Sequence, residues 1–251
     1  MITSVIMDIL ALLSGFPKDS GPVYRETIEG RLPVEPFNTV SNFLFLAIII
    51  YFVWKIRRNH RQHLFLAFIL PVLFIGFIGG TLYHATRSHE IWLLLDWVPI
   101  LLLCLATSVY FCIKAGKNPW SRSALLILVL LLMFGIRFMD LPRNISISVG
   151  YIAAALGIIL PIALYLYFTK YLYGLWVLLA VISFSLAIWC RYLDVRSDFF
   201  PMGTHWLWHS FGALAVFFLM YYIYLDRNSP GKNDIIRIPN APGSVPQLRG
   251  K

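Results

Sequence analysis

Two histidines four residues apart, His205 and His209, are the clearest chemical feature of the sequence. On a helix, residues at positions i and i+4 project from the same face, so this pair can clamp one metal ion. Zinc accepts neutral imidazole nitrogen, and a catalytic zinc site usually has three protein ligands and a water. His84 supplies a third imidazole, and we therefore predict a zinc site on His84, His205 and His209.

Asp96 is an acidic residue inside an apolar segment. A charged side chain at the centre of a bilayer costs about 2.5–3.5 kcal/mol, so such residues usually serve a function. We predict that Asp96 orients or deprotonates the water at the metal. The alternative for all four residues is that they lie at the membrane interface and bond headgroups or backbone carbonyls; their shared depth favours a site.

Acidic residues also precede the first apolar segment, at Asp19, Glu26, Glu29 and Glu35. Carboxylate oxygens are hard donors of the kind that bind calcium, although no EF-hand spacing is present. The alternative is a solvated segment that caps the first helix, because negative charge is favourable at a helix N-terminus. The residues themselves leave both interpretations open.

The elements that must position these side chains are membrane helices. The chain of 251 residues is 59% hydrophobic and only 13% charged, with a mean hydropathy of +0.73, which excludes an ordinary soluble domain. Runs such as 125–133 lack the alternation of a barrel, so we predict an all-α polytopic membrane protein with seven transmembrane helices. The expected segments are 38–56, 64–84, 91–113, 123–139, 146–168, 171–190 and 204–225.

The basic residues predict the orientation. The net charge of +9 comes from short clusters beside apolar runs, which indicates topology signals rather than nucleic-acid binding. Loops rich in lysine and arginine follow the first and third segments, so they should be cytoplasmic, with the N-terminus out and the C-terminus in. The four chemical residues then share the extracytoplasmic leaflet. The basic residues of these two loops are Lys55, Arg57, Arg58, Arg61, Lys114, Lys117 and Arg122.

This topology divides the chain into three parts. Residues 1–37 form an extracytoplasmic segment with the acidic cluster, and 1–15 within it are expected to form a short interfacial helix. Residues 38–225 are expected to form the seven-helix transmembrane domain that carries the predicted site, and 226–251 a flexible cytoplasmic tail rich in proline and glycine. The three cysteines lack metal-type spacing and are expected to be buried thiols.

Several motifs together resemble the alkaline ceramidases and their bacterial relatives, within the superfamily that includes adiponectin-receptor-like proteins. The motifs are Glu35-Pro-Phe-Asn-Thr-Val-Ser-Asn42, Tyr83-His84-Ala-Thr86, Asp96 and His205-x-x-x-His209. The resemblance covers nearly all of the hydrophobic region, from Glu35 to His209, with the motifs in matching order.

The resemblance implies a zinc-dependent hydrolase that cleaves the amide of ceramide or a related membrane lipid to a fatty acid and a sphingoid base. It implies zinc on the three histidines and a water held by Asp96. It also implies a calcium site in which Glu35 matches well, with Glu26 and Asp19 as further ligands. No pattern in the sequence indicates nucleic acid or an obligate protein partner.

One position departs from the family pattern. The family has a serine four residues before the histidine of the second segment, where this chain has Gly80 followed by Thr81. Thr81 shares a helical face with His84, so its hydroxyl can contact the water or a developing oxyanion. The alternative is a packing residue that bonds its own helix backbone.

Two other functions are compatible with the same residues. A non-catalytic receptor or lipid sensor could use zinc only to tie helices together. An ester-cleaving, lipid-remodelling relative would use the same site on a different bond. The sequence contains no readable determinant of chain length or headgroup.

Overall fold

A computed structural model of the chain describes residues 16–135, 138, 143–196 and 200–229. The fold is all-helical, with 77% helix and no strand among those residues. The helices are α1 (Pro36–Ser41), α2 (Phe43–Ile56), α3 (Leu64–Thr86), α4 (Glu90–Ala115), α5 (Pro119–Gly135), α6 (Arg143–Phe168), α7 (Gly174–Leu193) and α8 (His205–Asn228).

Six stretches of helix within the described part of the chain are long and apolar enough to cross a membrane. The predicted all-α, multi-pass class is therefore confirmed. The fourth of the seven expected spans corresponds to α5, which is apolar but has 17 residues and is not among the six. At 1.5 Å per residue it extends about 26 Å, against about 30 Å for the hydrocarbon core. The six spans are Pro36–Ile56, Leu64–Thr86, Glu90–Ala115, Val149–Phe168, Gly174–Leu193 and His205–Asn228.

The first span consists of α1 and α2, which meet at Asn42. It begins at Pro36, two residues before the predicted start. Proline suits this position because the first N–H groups of a helix have no partner within the helix. The early start places Asn38 and Ser41 on a helix that faces the predicted site.

The last helix continues through Asn228 and so extends three residues beyond the predicted 225. Asp226 is buried there and accepts hydrogen bonds from Lys114 Nζ and Tyr165 Oη. A buried, paired carboxylate of this kind holds the end of α8 against α4 and α6. The expected interfacial helix at 1–15 and the tail beyond 229 lie outside the described residues.

Most of the apolar interior lies at one end of the bundle and the buried polar residues of the predicted site lie at the other, although the buried Asp226 and its partners lie at the apolar end. One end contains the main hydrophobic core, whose most fully buried members are Phe52, Leu66, Phe111, Ile162 and Tyr222. The opposite end contains buried polar and charged residues that include Glu35, Asn38, His84, Arg87 and His205. The outer surface carries exposed apolar side chains, as expected of helices that face lipid.

Candidate metal centre

The structure brings the three predicted zinc ligands together. His84 lies near the end of α3, and His205 and His209 lie at the start of α8. One ligand nitrogen from each lies within 4.8 Å of the others, and all three side chains are buried. Of the residues that the structure describes, these form the group that can hold a metal ion.

Two imidazole nitrogens in this group have no hydrogen-bond partner among the described residues. They are His84 Nε2 and His205 Nδ1, both buried. A buried polar atom without a partner costs free energy, and nearly all such atoms in proteins are satisfied. A cation that accepts imidazole nitrogen would satisfy both, and three imidazoles in this arrangement fit zinc.

Glu35 fixes the ring of His84. Nδ1 of His84 lies 2.5 Å from Glu35 Oε2 and donates to it, which leaves Nε2 as the lone-pair atom. The carboxylate also accepts from Thr27 Oγ1 at 2.5 Å, Asn38 Nδ2 at 3.1 Å and Arg87 Nη1 at 2.8 Å. Although burial favours the neutral acid, the hydrogen bond from His84 and the positive charge of Arg87 hold the pKa of Glu35 well below its usual range.

The start of the first span fixes the ring of His209. Its Nδ1 lies 3.1 Å from the backbone oxygen of Asn38 and 2.9 Å from Ser41 Oγ. Ser41 Oγ itself donates to that same Asn38 oxygen at 2.9 Å. Donation by Nδ1 leaves Nε2 of His209 available to a metal. Ser41 in α1 therefore bonds a residue of α8.

Asp194 positions the helix that carries His205. Its Oδ1 accepts from the backbone nitrogens of Thr204 at 2.7 Å and His205 at 2.8 Å, as an N-terminal capping side chain does. Gly203 has a φ of +75°, and a side chain there would collide with this carboxylate. Asp194 stands among several charged residues in the sequence, and Gly203, which precedes the helix, is the available signal for it.

Tyr24 covers one face of the His205 ring. The two rings stack with centroids 3.7 Å apart and an interplanar angle of 20°. Tyr24 comes from the N-terminal segment, whose backbone is held by Arg25 N donating to Asp194 Oδ2 at 3.2 Å. This residue was missed as a site residue because nothing in its local sequence distinguishes it from an interfacial tyrosine.

Asp96 lies against Gly80. A Cβ built on Gly80 would be 2.5 Å from Asp96 Oδ1 and 3.0 Å from Asn42 Oδ1. The space that a serine would need at position 80 is therefore occupied by these two oxygens. Gly80 lies one helical turn before His84 in α3, so the predicted proton acceptor lies beside the turn of α3 that leads to His84.

Thr81 has a buried hydroxyl. Its Oγ1 has no hydrogen-bond partner among the described residues. The Thr81 hydroxyl therefore does not bond the backbone of its own helix, as the packing alternative required. The hydroxyl remains free to donate to a group bound near His84, three residues further along α3.

The predicted calcium ligands are engaged by protein donors. Glu26 accepts from the backbone nitrogens of Phe37 at 2.5 Å and Asn38 at 2.9 Å, so it caps α1. Asp19 accepts from Arg87 Nε at 2.9 Å and Nη2 at 2.7 Å. The helix-capping alternative thus describes Glu26. Calcium on Asp19, Glu26 and Glu35 stays a prediction, and a calcium ion would compete with these donors.

Arg87 is the buried cation of this end of the bundle. Its guanidinium pairs with both Asp19 and Glu35 and donates to the backbone oxygen of Pro22 at 3.1 Å. Burial opposes its charge, but the hydrogen bonds from Arg87 to the two carboxylates hold its pKa above the ordinary value. The sequence does not distinguish Arg87 from a residue of a solvated turn, because Glu90 follows it in the same loop.

The buried group thus combines three imidazoles, two of them oriented by Glu35 and Asn38, with a carboxylate on a neighbouring helix. Such a set can hold a metal ion and take up a proton beside it. No protein-family model matches the chain, and no curated protein gives a significant match. These residues are therefore the basis for a functional assignment.

Proposed function

We propose that this protein is a zinc-dependent intramembrane hydrolase that cleaves the amide bond of ceramide or a related lipid. The observation that carries the proposal is the buried meeting of His84, His205 and His209, with two imidazole nitrogens lacking any other partner. Asp96 on the adjacent helix supplies a carboxylate for proton transfer.

Zinc bound by the three histidines would supply a Lewis acid that activates water near neutral pH and polarises a carbonyl. The chain's own residues perform the remaining tasks. Glu35 and the Asn38 backbone oxygen hold two imidazoles in the tautomer that leaves Nε2 for the metal. Burial of the site limits competing solvent.

Proton transfer is the task of Asp96. As the oxygen of water adds to the acyl carbon, Asp96 accepts its proton. The same carboxylic acid then gives that proton to the nitrogen when the carbon–nitrogen bond breaks, so a fatty acid and an amine leave. The unpartnered hydroxyl of Thr81 is placed on α3 to donate to the developing oxyanion.

The membrane arrangement that we propose has seven spans, with α5 as the shortest. Its 17 residues are at the lower end of the range of about 17–25 that spans a bilayer. The lysines and arginines after α2 and α4 place those loops in the cytoplasm, so the N-terminus is outside and the C-terminus inside. The histidine group then faces the extracytoplasmic leaflet.

Family membership is part of the same proposal. The motifs that resemble the alkaline ceramidases contribute His84, His205 and His209, which come together in the site, and Asp96, which lies against Gly80 one helical turn before His84. Glu35, from the first of those motifs, holds His84. Gly80, the departure from the family pattern, leaves room for the Asp96 carboxylate rather than an empty space.

The proposal is tested by incubating the purified protein in detergent with a fluorescent ceramide. We expect turnover by the wild type, and a loss of about 100- to 10,000-fold in Asp96→Asn, because the general acid–base group is removed. Zinc content should not change in this variant. Glu29→Gln, an exposed acid of the N-terminal segment, is the matched control and should keep wild-type turnover.

Absence of turnover by zinc-loaded wild type on ceramide, a lysolipid and a diacyl phospholipid would overturn the hydrolase assignment and favour a zinc-stabilised receptor. Turnover of the esters alone would replace the amide by an ester as the bond that is cleaved.

A further inference from the structure

Arg191 is a charged residue within a membrane-spanning helix that the proposed reaction does not use. It lies two residues before the end of α7. Its guanidinium carbon is 5.3 Å from the ring centre of Tyr151 on α6 and 5.3 Å from that of Trp208 on α8. The side chain therefore points between three helices rather than outward to lipid or solvent.

Arg191 differs from Arg87 and Lys114 in having no acidic partner at ion-pair distance among the described residues. Arg87 pairs with Asp19 and Glu35, and Lys114 pairs with Asp226. None of the described carboxylates forms such a pair with Arg191, although Asp96 and the Tyr24 hydroxyl are close enough to interact electrostatically. An unpaired charge within a span is costly, so it usually marks a pathway or a ligand.

The guanidinium is adjacent to the metal centre. Trp208, on which it packs, directly precedes His209 in α8. Tyr24, whose hydroxyl interacts electrostatically with Arg191, stacks on His205. Arg191 and Tyr151 keep some accessible surface, as does Asp96, whereas Tyr24 and Trp208 are buried. Because Arg191 also interacts electrostatically with Asp96, we expect one elongated ligand to reach both.

We propose that Arg191 binds an oxyanion on the lipid, a carboxylate or a phosphate, beside the three-histidine group. The rings of Tyr151 and Trp208, whose centroids lie 4.7 Å apart, pack on one side of the guanidinium, and N–H groups that point away from them can donate to a bidentate oxyanion. The inference deepens the proposed function, on which it rests for the lipid nature of the ligand. The anion has two sources: the carboxylate of the released fatty acid, or an anionic group on the amine half of the substrate.

The first test uses unmodified protein, immobilised in detergent with its zinc, and measures competition against radiolabelled oleate above neutral pH. We expect oleate to compete at least about tenfold better than oleyl alcohol, because a charge-assisted hydrogen bond is lost with the alcohol. Equal competition by the acid and the alcohol would overturn the proposal. This comparison needs no variant and no turnover.

The second test compares Arg191→Gln with Arg196→Gln. Arg196 is an exposed arginine near the end of the same helix that also stacks on a ring, with its guanidinium carbon 4.1 Å from the Tyr192 centroid. We expect oleate binding to weaken about tenfold to a hundredfold in Arg191→Gln and to be unchanged in Arg196→Gln. Zinc content, measured in both, reports whether the fold is intact.

A structural cation–π role of Arg191 predicts a different result. It would lower thermal stability without changing the preference for oleate over oleyl alcohol, and that outcome overturns the proposal. Arg191→Lys keeps the charge but loses the planar fork, so partial retention of the preference is expected.

A third comparison, of ceramide with ceramide 1-phosphate as competitors, distinguishes the two sources. Preference for the phosphorylated lipid, abolished in Arg191→Gln, places the anion on the amine half. Preference for oleate alone places it on the acyl product. Failure of hydrolysis with these preferences intact would overturn the proposed reaction and leave the anion site standing.

Discussion

Glu35 directly precedes the first span and is also the hydrogen-bond partner of His84 Nδ1. Partners of this kind fix the tautomer and orientation of a metal ligand. The Glu35→Gln variant keeps the shape of the side chain but removes its charge. We expect zinc affinity to fall about 10- to 100-fold, measured by competition with a chelator. Glu29→Gln serves as the exposed control; equal zinc affinity in Glu35→Gln and wild type would contradict the role.

Gly80 provides another prediction at this scale. A methyl group in Gly80→Ala would collide with Asp96 Oδ1, whose present position is 2.5 Å from the added carbon. We expect Asp96 to be displaced and ceramide turnover to fall about tenfold or more, because the displaced carboxylate no longer reaches the proton that it must accept. Zinc should stay bound. Gly150→Ala on α6, where a Cβ would meet nothing within 4 Å, is the matched control. Wild-type turnover in Gly80→Ala would show that the close approach is not needed.

Individual residues could be predicted from the sequence only where type and spacing are unusual. The pair His205 and His209 has a diagnostic spacing, and Asp96 is conspicuous in an apolar run. Arg87 and Asp194 could not be found, because they lie in loops of mixed charge and their burial depends on contacts with distant segments. Arg191 stands just before Asp194 in the sequence and resembles such a loop residue, although it lies within α7.

At the scale of elements, the start of α8 determines where His205 lies. Asp194 caps this helix from the end of α7, so its carboxylate joins two neighbouring spans. The Asp194→Ala variant should lose about 1–2 kcal/mol of stability, as expected when an N-terminal cap is removed. Thermal unfolding in detergent measures this loss. Asp194→Asn, which keeps an oxygen acceptor, should lose less; equal losses in both would argue against capping.

The sequence predicted the spans well because continuous apolar runs are the signal that membrane helices require. It predicted their ends less well. Glu26 caps α1 from eleven residues upstream of Phe37, and Asp226 is tied to Lys114 across the bundle. Both contacts join segments distant in sequence, so no local pattern reveals them. The short α5 has the length of a marginal span, and hydropathy does not distinguish such a helix from a full one.

At the scale of the whole molecule, a buried polar site is compatible with a stable fold because most of the apolar core lies at the opposite end of the bundle. The apolar end, with Phe52, Phe111 and Tyr222, supplies packing, while the polar end satisfies its charges through Glu35 and Arg87. Composition predicted the membrane class, and alternating topology predicted that the histidines share one end. Which side chains complete the polar network depends on tertiary contacts that one sequence does not encode locally.

The central claim, that the three histidines hold zinc, is tested most directly by elemental analysis of the purified protein. We predict about one zinc per chain in the wild type, and its loss in His84→Ala, His205→Ala and His209→Ala, because each removes one of three ligands. His89→Ala, an exposed histidine outside the group, should keep its zinc. Zinc at wild-type stoichiometry in the three ligand variants, or no zinc in folded wild-type protein, would contradict the account.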